Sequence, residues 1–330
     1  MVPCRVRTLM EKTMQLLTHS RLRAVRACQR LHDLEYNRGY RAVKEQDALR
    51  FGSLIHRGLE AWFTAAPDAR LTDALAAINA EPADPFDLAR ATVLLCGYDE
   101  RWGGEVFETL AVESQFRCSL INPDTGRESQ TFDLAGKVDA VVRMAGRVIL
   151  VEHKTTSEDI GIGSDYWKRL RLDGQVSLYF DGAASLGFNV EACLYDVLRK
   201  PALRPYLATP ADQRKFKKDG TLYANQRDAD ETPAEFQARL AEAVAEDPTR
   251  YYQRGEVTRL DLELDEARHD RWDLARQIRE SQLTGRHPRN PEACCRFGTC
   301  SFFPACTGEA SLDDPTLFRK LEEVHPELGA

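Results

Sequence analysis

With 330 residues the chain has room for one or two domains, and its 43% hydrophobic and 29% charged residues are the profile of a globular protein. A net charge of −7 argues against a chain that holds nucleic acid through its overall field. No apolar run reaches the roughly 20 residues of a membrane helix, and the N-terminus shows no apolar core ahead of a small-residue cleavage site. The expected compartment is therefore cytoplasmic, with no membrane partner.

Residues 1–50 carry eleven Lys/Arg against five Asp/Glu. They read as a basic helical region over 1–48, helical from about 20 to 47, with Cys28 inside it. Residues 51–65 show helical apolar spacing at Leu54, Leu59, Trp62 and Phe63, with His56 on the same segment. Further helix is expected over 66–101, broken at Pro82 and Pro85. Residues 107–120 have strand character and include Glu113. A β-hairpin follows, with strands over 132–143 and 147–153 around an Ala145-Gly146 turn. Residues 167–186 are expected to be helical and 190–198 to form a strand. This order of helix, strand, hairpin, helix and strand predicts an α/β core.

Residues 202–250 are more polar and read as an insertion or lid, with an exposed loop at Arg214–Gly220. Within them Thr232-Pro233-Ala234-Glu235 is a capping box, which predicts a helix to about Ala245. The alternation over 256–264 predicts a strand, and 266–281 a charged helix. A cysteine-rich segment over 285–308 and an acidic tail complete the chain. No boundary divides it, so 1–330 is expected to be a single domain.

The chemistry concentrates at the end of the hairpin. Side chains alternate along a strand, so Glu152 and Lys154 share a face and His153 points the other way. Asp139 lies across the hairpin, in the pattern Asp-x12-Glu-x-Lys. Two carboxylates aimed at one point repel unless a cation compensates, and oxygen donors suit Mg²⁺ or Mn²⁺. Taken singly, a Glu-Lys pair at a strand end is an ordinary surface ion pair, and a histidine such as His56 is an ordinary core residue. Gln175 and Tyr179, four apart on a helix, share a face.

The cysteines form a second pattern. Cys294, Cys300 and Cys306 are evenly spaced, and Cys28 can add a fourth thiolate from the far end of the chain. Four thiolates hold either Zn²⁺ or a [4Fe–4S] cluster, and spacing this wide favours iron–sulfur. Cys295, next to Cys294, leaves the first of the three late ligands open. Cys96, Cys118 and Cys193 sit among apolar residues and read as core.

In their order (Cys28, His56, Asp139, Glu152-x-Lys154, Gln175-x3-Tyr179, then three cysteines) these residues resemble the PD-(D/E)XK nuclease superfamily, in its RecB-like and Cas4-like branch with phage-type recombination exonucleases. The resemblance implies a restriction-endonuclease-like α/β fold. A central mixed β-sheet would be flanked by helices, with helical additions and a C-terminal iron–sulfur staple. It implies that His56, Asp139, Glu152 and the His153 carbonyl bind Mg²⁺ or Mn²⁺, and that Lys154 is catalytic. Gln175 and Tyr179 would line the site, and Glu113 could add a carboxylate to it. Cys28, Cys294, Cys300 and Cys306 would hold a structural [4Fe–4S] cluster. Val138 stands where the family usually has proline. The implied activity is metal-dependent DNA exonuclease cleavage in recombination, repair or phage DNA metabolism, in a bacterial or phage-infected cell. The basic N-terminal region and the lysine-rich loop at 214–218 would grip DNA phosphates without regard to sequence. A recombination protein or further copies of the chain would be partners. The alternatives are a Cas4-like DNA-processing endonuclease and a non-catalytic DNA-binding scaffold with an iron–sulfur cluster.

Overall fold

The computed structural model describes residues 14–43, 47–296 and 298–329; the first thirteen residues of the expected basic region, with Cys4, lie outside them. Strand β1 (Gln15–Leu17) leads into α1 (His19–Ala27), α2 (Gln29–His32), a π-helical turn at Asp33–Asn37, and β2 (Tyr40–Ala42). Helices α3 (Asp47–Thr64), α4 (Arg70–Asn79) and α5 (Pro85–Trp102) follow. Next come the long strands β3 (Glu108–Ile121), β4 (Glu128–Met144) and β5 (Arg147–Thr156). Helices α6 (Asp165–Leu170) and α7 (Gly174–Ser185) connect β5 to β6 (Ala192–Arg199). The chain finishes with α8 (Pro233–Glu246), β7 (Tyr252–Val257), α9 (Asp261–Thr284), α10 (Phe303–Thr307) and β8 (Phe318–Lys320). Among the described residues, no helix is long and apolar enough to cross a membrane.

The main sheet is mixed. Its order is β1-β4-β5-β6-β7, with β3 on the other edge of β4; β1–β4 and β5–β6 are parallel and the remaining pairs antiparallel. One apolar layer packs α3, α4, α5 and α8 on one face, through Trp62, Tyr98 and Phe236. A second packs α1, α7 and α9 on the other, through Leu22, Val176 and Ile278. The fold is thus the expected α/β class, a central mixed sheet flanked by helices.

The hairpin forms as its sequence predicts. Ala145 and Gly146 both take positive φ, 49° and 82°, the geometry of a tight two-residue turn between twisted strands. Alternation then sends Ile149 and Val151 into the first layer and Leu150 into the second. Burial of each such side chain stabilises by roughly 1.5–3 kcal/mol, which anchors the strand end that carries Glu152.

Other expectations need correction. The helix expected over 167–186 is broken, because Asp173 caps a new start: its Oδ1 accepts the Gln175 N–H at 2.9 Å. The strand expected over 256–264 lies earlier, as β7, and helix begins at Asp261. There the Glu263 carboxylate reaches back to the Leu260 N–H at 2.8 Å, and acidic residues favour a helix start over the alternation. The expected helix to residue 47 is interrupted by β2, which pairs with β8. In the 202–250 segment the capping box at Thr232 forms as expected. The helix it starts is no lid, since Phe236, Leu240 and Val244 are buried in the core.

Candidate active site

Strand β4 is long enough to take two partners along one edge. Its residues Phe132–Leu134 pair with β1, and Ala140–Met144 pair with β5. Between them, at 135–139, that edge has no ladder partner among the described residues. Strand β5 continues beyond Val151 along β6 alone, so β4 and β5 part at Asp139 and Glu152. In the gap the Asp139 Oδ2 accepts the His153 backbone N–H at 2.8 Å. Gly136 lets α7 close over this notch: a Cβ there would lie 2.7 Å from the Phe116 ring and 3.2 Å from Tyr179.

On the α7 side, Glu152, Lys154, Gln175 and Tyr179 form one chain. Lys154 Nζ donates to Glu152 Oε1 at 2.6 Å and to Gln175 Oε1 at 2.7 Å. Gln175 Nε2 donates to the Tyr179 hydroxyl at 2.9 Å. Glu152 is 3% exposed, and its Oε2 is buried without a partner. Burial pushes its carboxyl up to about 8, against the pull of Lys154 and with repulsion from Asp139. Burial also works against the Lys154 charge, but Glu152 outweighs it and holds the ammonium above its ordinary range.

On the opposite side, His56 reaches in from α3, with Nδ1 3.7 Å from Asp139 Oδ1. Glu113 comes from β3, where Val112 and Ser114 pair with Ala140 and Val138, so it lies across from Asp139. It sits at φ 47°, a left-handed conformation rare for a non-glycine residue. Ligand atoms of His56, Glu113 and Asp139 all lie within 4.8 Å of one another. Burial keeps His56 below its usual imidazole value, against the pull of Asp139. Burial likewise raises Glu113, whose carboxylate meets Lys137. One imidazole and converging carboxylates, with an orphaned oxygen on Glu152 beside them, match the donor set of a hard divalent cation.

The ring of His153 points away, as alternation requires. Its Nδ1 is 3.6 Å from Asp196 Oδ2. Asp196 also accepts the Tyr98 hydroxyl at 2.5 Å and Arg254 NH2 at 3.0 Å. Sequence reasoning gave Glu113 too small a part and missed Asp173, whose Oδ2 accepts the Tyr195 hydroxyl at 3.1 Å while its Oδ1 caps α7. An acidic residue interrupting an apolar strand was the available signal for Glu113. An Asp one residue before Gly174 was the signal for the cap.

Cys28, Cys294, Cys300 and Cys306 line one apolar cavity with Leu31 and Phe302. Cys295 is exposed and does not line it. The Asn290 N–H donates to Cys28 Sγ at 3.4 Å, joining the two ends of the chain.

Several arginines among the described residues of the basic N-terminal region are engaged within the fold. Arg21 is buried on His32, Leu16 and Gln15. Arg30 bonds the His287 carbonyl, and Arg41 those of Glu35 and Val324. Arg26 pairs with Asp270. Arg30 and Arg41 thereby join the N-terminal region to the C-terminal segment, while Arg26 stays exposed.

A family model of the PD-(D/E)XK nuclease superfamily matches residues 16–307, and the chain belongs to that superfamily. No curated protein matches it. Among solved structures it is similar to a candidate exonuclease from Eubacterium rectale, at 11% identity and TM-score 0.47 over 95% of this chain and 96% of that one. It is also similar to a phage-related exonuclease from Haemophilus somnus 129PT, at 13% identity and TM-score 0.30 over 62% and 75%.

Proposed function

We propose that the chain is a Mg²⁺- or Mn²⁺-dependent deoxyribonuclease that degrades DNA from its ends, in recombination, repair or phage DNA metabolism. The observation that carries this reading is the convergence of His56, Glu113 and Asp139 within 4.8 Å, beside a lysine held in place by two hydrogen bonds. When bound, the cation would supply Lewis-acid polarisation and an acidified water. His56, Asp139, Glu152 and the His153 carbonyl would hold it, with Glu113 completing the set. Lys154 Nζ, fixed between Glu152 and Gln175, stabilises charge gathering on a phosphoryl oxygen. Gln175 and Tyr179 hold that ammonium in line and border the DNA path.

Cys28, Cys294, Cys300 and Cys306 would hold a structural [4Fe–4S] cluster. A tetrahedral zinc about 2.3 Å from each sulfur needs sulfurs about 3.8 Å apart. Among the described residues the carboxylate–histidine group is the one that converges within 4.8 Å, and the four thiols are not. The wider spread suits a polynuclear cluster better than one ion.

Incubation of linear and closed-circular DNA with Mn²⁺ tests the reading. Linear duplex is expected to disappear while circles persist. Nicked or linearised circles would overturn the requirement for ends. If neither substrate is cut, and Asp139→Asn behaves as the parent does, the nuclease assignment falls.

A further inference from the structure

Arg21, Arg30 and Arg41 of the N-terminal region are bonded within the fold, and a second basic segment lies beyond β6. The chain leaves β6 at Arg199, at the same end of the parallel β5–β6 pair from which Glu152 and Lys154 project. It then forms a small antiparallel finger. Phe216 bridges Leu222, Lys217 N–H donates to the Thr221 carbonyl at 2.7 Å, and Tyr223 N–H to the Lys215 carbonyl at 3.3 Å. Gly220 turns the tip at φ 82°, and Asp219 Oδ1 accepts from the Thr221 N–H and hydroxyl at 3.0 and 2.7 Å. The base is tied down where Thr209 and Arg227 bond each other's backbone and where Gln226 accepts the Lys215 N–H.

This finger is hydrogen-bonded along its backbone but buries little. Phe216 is 60% exposed and Tyr223 49%. Arg214 is spent on the Thr209 and Asp228 carbonyls. Lys215, Lys217 and Lys218 are exposed and have no ion pair among the described residues. Three free ammoniums and two exposed aromatic rings on nine residues stand out in a chain of net charge −7. Aromatic faces interleaved with free lysines are the chemistry that receives a single strand: bases stack on the rings and phosphates meet the ammoniums.

We propose that the Lys215–Tyr223 finger binds single-stranded DNA, holding an unpaired end of the substrate. This rests on the nuclease reading above and adds to it the form of DNA that is gripped.

The test uses the full chain in EDTA, where binding is separated from cleavage, with fluorescence anisotropy of a labelled oligonucleotide as single strand and as duplex. Phe216→Ala is expected to weaken single-strand binding roughly five- to hundred-fold, the range for loss of one stacked base, with a smaller effect on duplex. A Lys215→Ser, Lys217→Ser, Lys218→Ser triple variant is expected to flatten the slope of log affinity against log salt by about two, from about 0.7 for each released phosphate contact. Both changes lie on an exposed finger, and an unchanged melting midpoint confirms that the variants are folded. Parental affinity and salt slope in both variants overturn the proposal. If the protein cleaves DNA in Mn²⁺ while that happens, the finger reading alone falls. If the parent neither binds nor cleaves DNA, both readings fall. Variants that keep DNA binding but lose self-association in sedimentation overturn it in favour of a protein-contact surface.

Discussion

Asp139 and His153 are joined across a gap between strands: the aspartate carboxylate takes the backbone N–H that a continued β4–β5 ladder would have used. The same carboxylate faces His56 with its other oxygen. One side chain therefore both closes the parted strands and presents an oxygen to the candidate metal position.

Because of that double part, Asp139→Asn is the cleaner substitution than alanine. Asparagine keeps an oxygen for the His153 N–H and removes the negative charge. Mn²⁺-dependent cleavage should be abolished with the melting midpoint nearly unchanged. Lys154→Met should lower the cleavage rate by roughly two to three orders of magnitude, while Mn²⁺ still binds by calorimetry. Full activity in either variant overturns the assignment of that residue.

Glu113 is expected to matter through the cation. Glu113→Gln should weaken Mn²⁺ binding by at least the roughly 10–100-fold typical of a lost neighbour to a metal ligand, measured by titration calorimetry. Raising Mn²⁺ should restore much of the cleavage rate. A parental dissociation constant would remove Glu113 from the site.

For the cysteines, anaerobically prepared protein should be brown, with broad absorption near roughly 400 nm from an iron–sulfur cluster. Cys28→Ser and Cys294→Ser should each lose that band and melt at lower temperature. Cys295→Ser should keep both properties, since Cys295 is exposed outside the cavity. Colourless protein with stoichiometric zinc would overturn the cluster.

Asp196 gives a pH dependence of stability. Burial alone would raise its carboxyl, but Arg254, with His153 beside it, outweighs burial and holds it well below the usual carboxylate range. A folded-state value below the unfolded one contributes stability above the unfolded pKa, about 3.9, and loses it as pH falls through the folded value. Urea midpoints should therefore stay level down to about pH 4 and drop below it. Asp196→Asn should make that drop shallower; an equally steep acid limb would show that the contribution lies elsewhere.

Much of this site was legible in the sequence because its parts are local. Alternation fixed the opposite faces of His153 and of Glu152 with Lys154, and Ala145-Gly146 fixed the turn and so the register to Asp139. Helical spacing put Gln175 and Tyr179 on one side. The Glu113–Asp139 opposition was not legible, because it depends on a β3–β4 register that slips between Thr109 and Ala111. Strand β1 was missed because three residues carry too little pattern, and their place is set by β4, more than a hundred residues away. Charge counting at the N-terminus records how many arginines there are and not that carbonyls and His32 hold Arg21, Arg30 and Arg41.

The ties between the chain ends also order events in time. Gln15 meets Gln282, Thr18 meets Glu327, and Cys28 meets Asn290, partners 262 to 309 residues further along. At roughly 5–20 residues per second of synthesis, the first segment waits on the order of ten seconds to a minute on the ribosome before its partners exist. During that interval the Cys28 thiol is open to oxidants and chaperones, and the edge of β4 that β1 will cover is open to other strands. These ties form only late in synthesis, and a chain ending at Asn290 would keep those of Gln15 and Cys28 and lose that of Thr18 to Glu327.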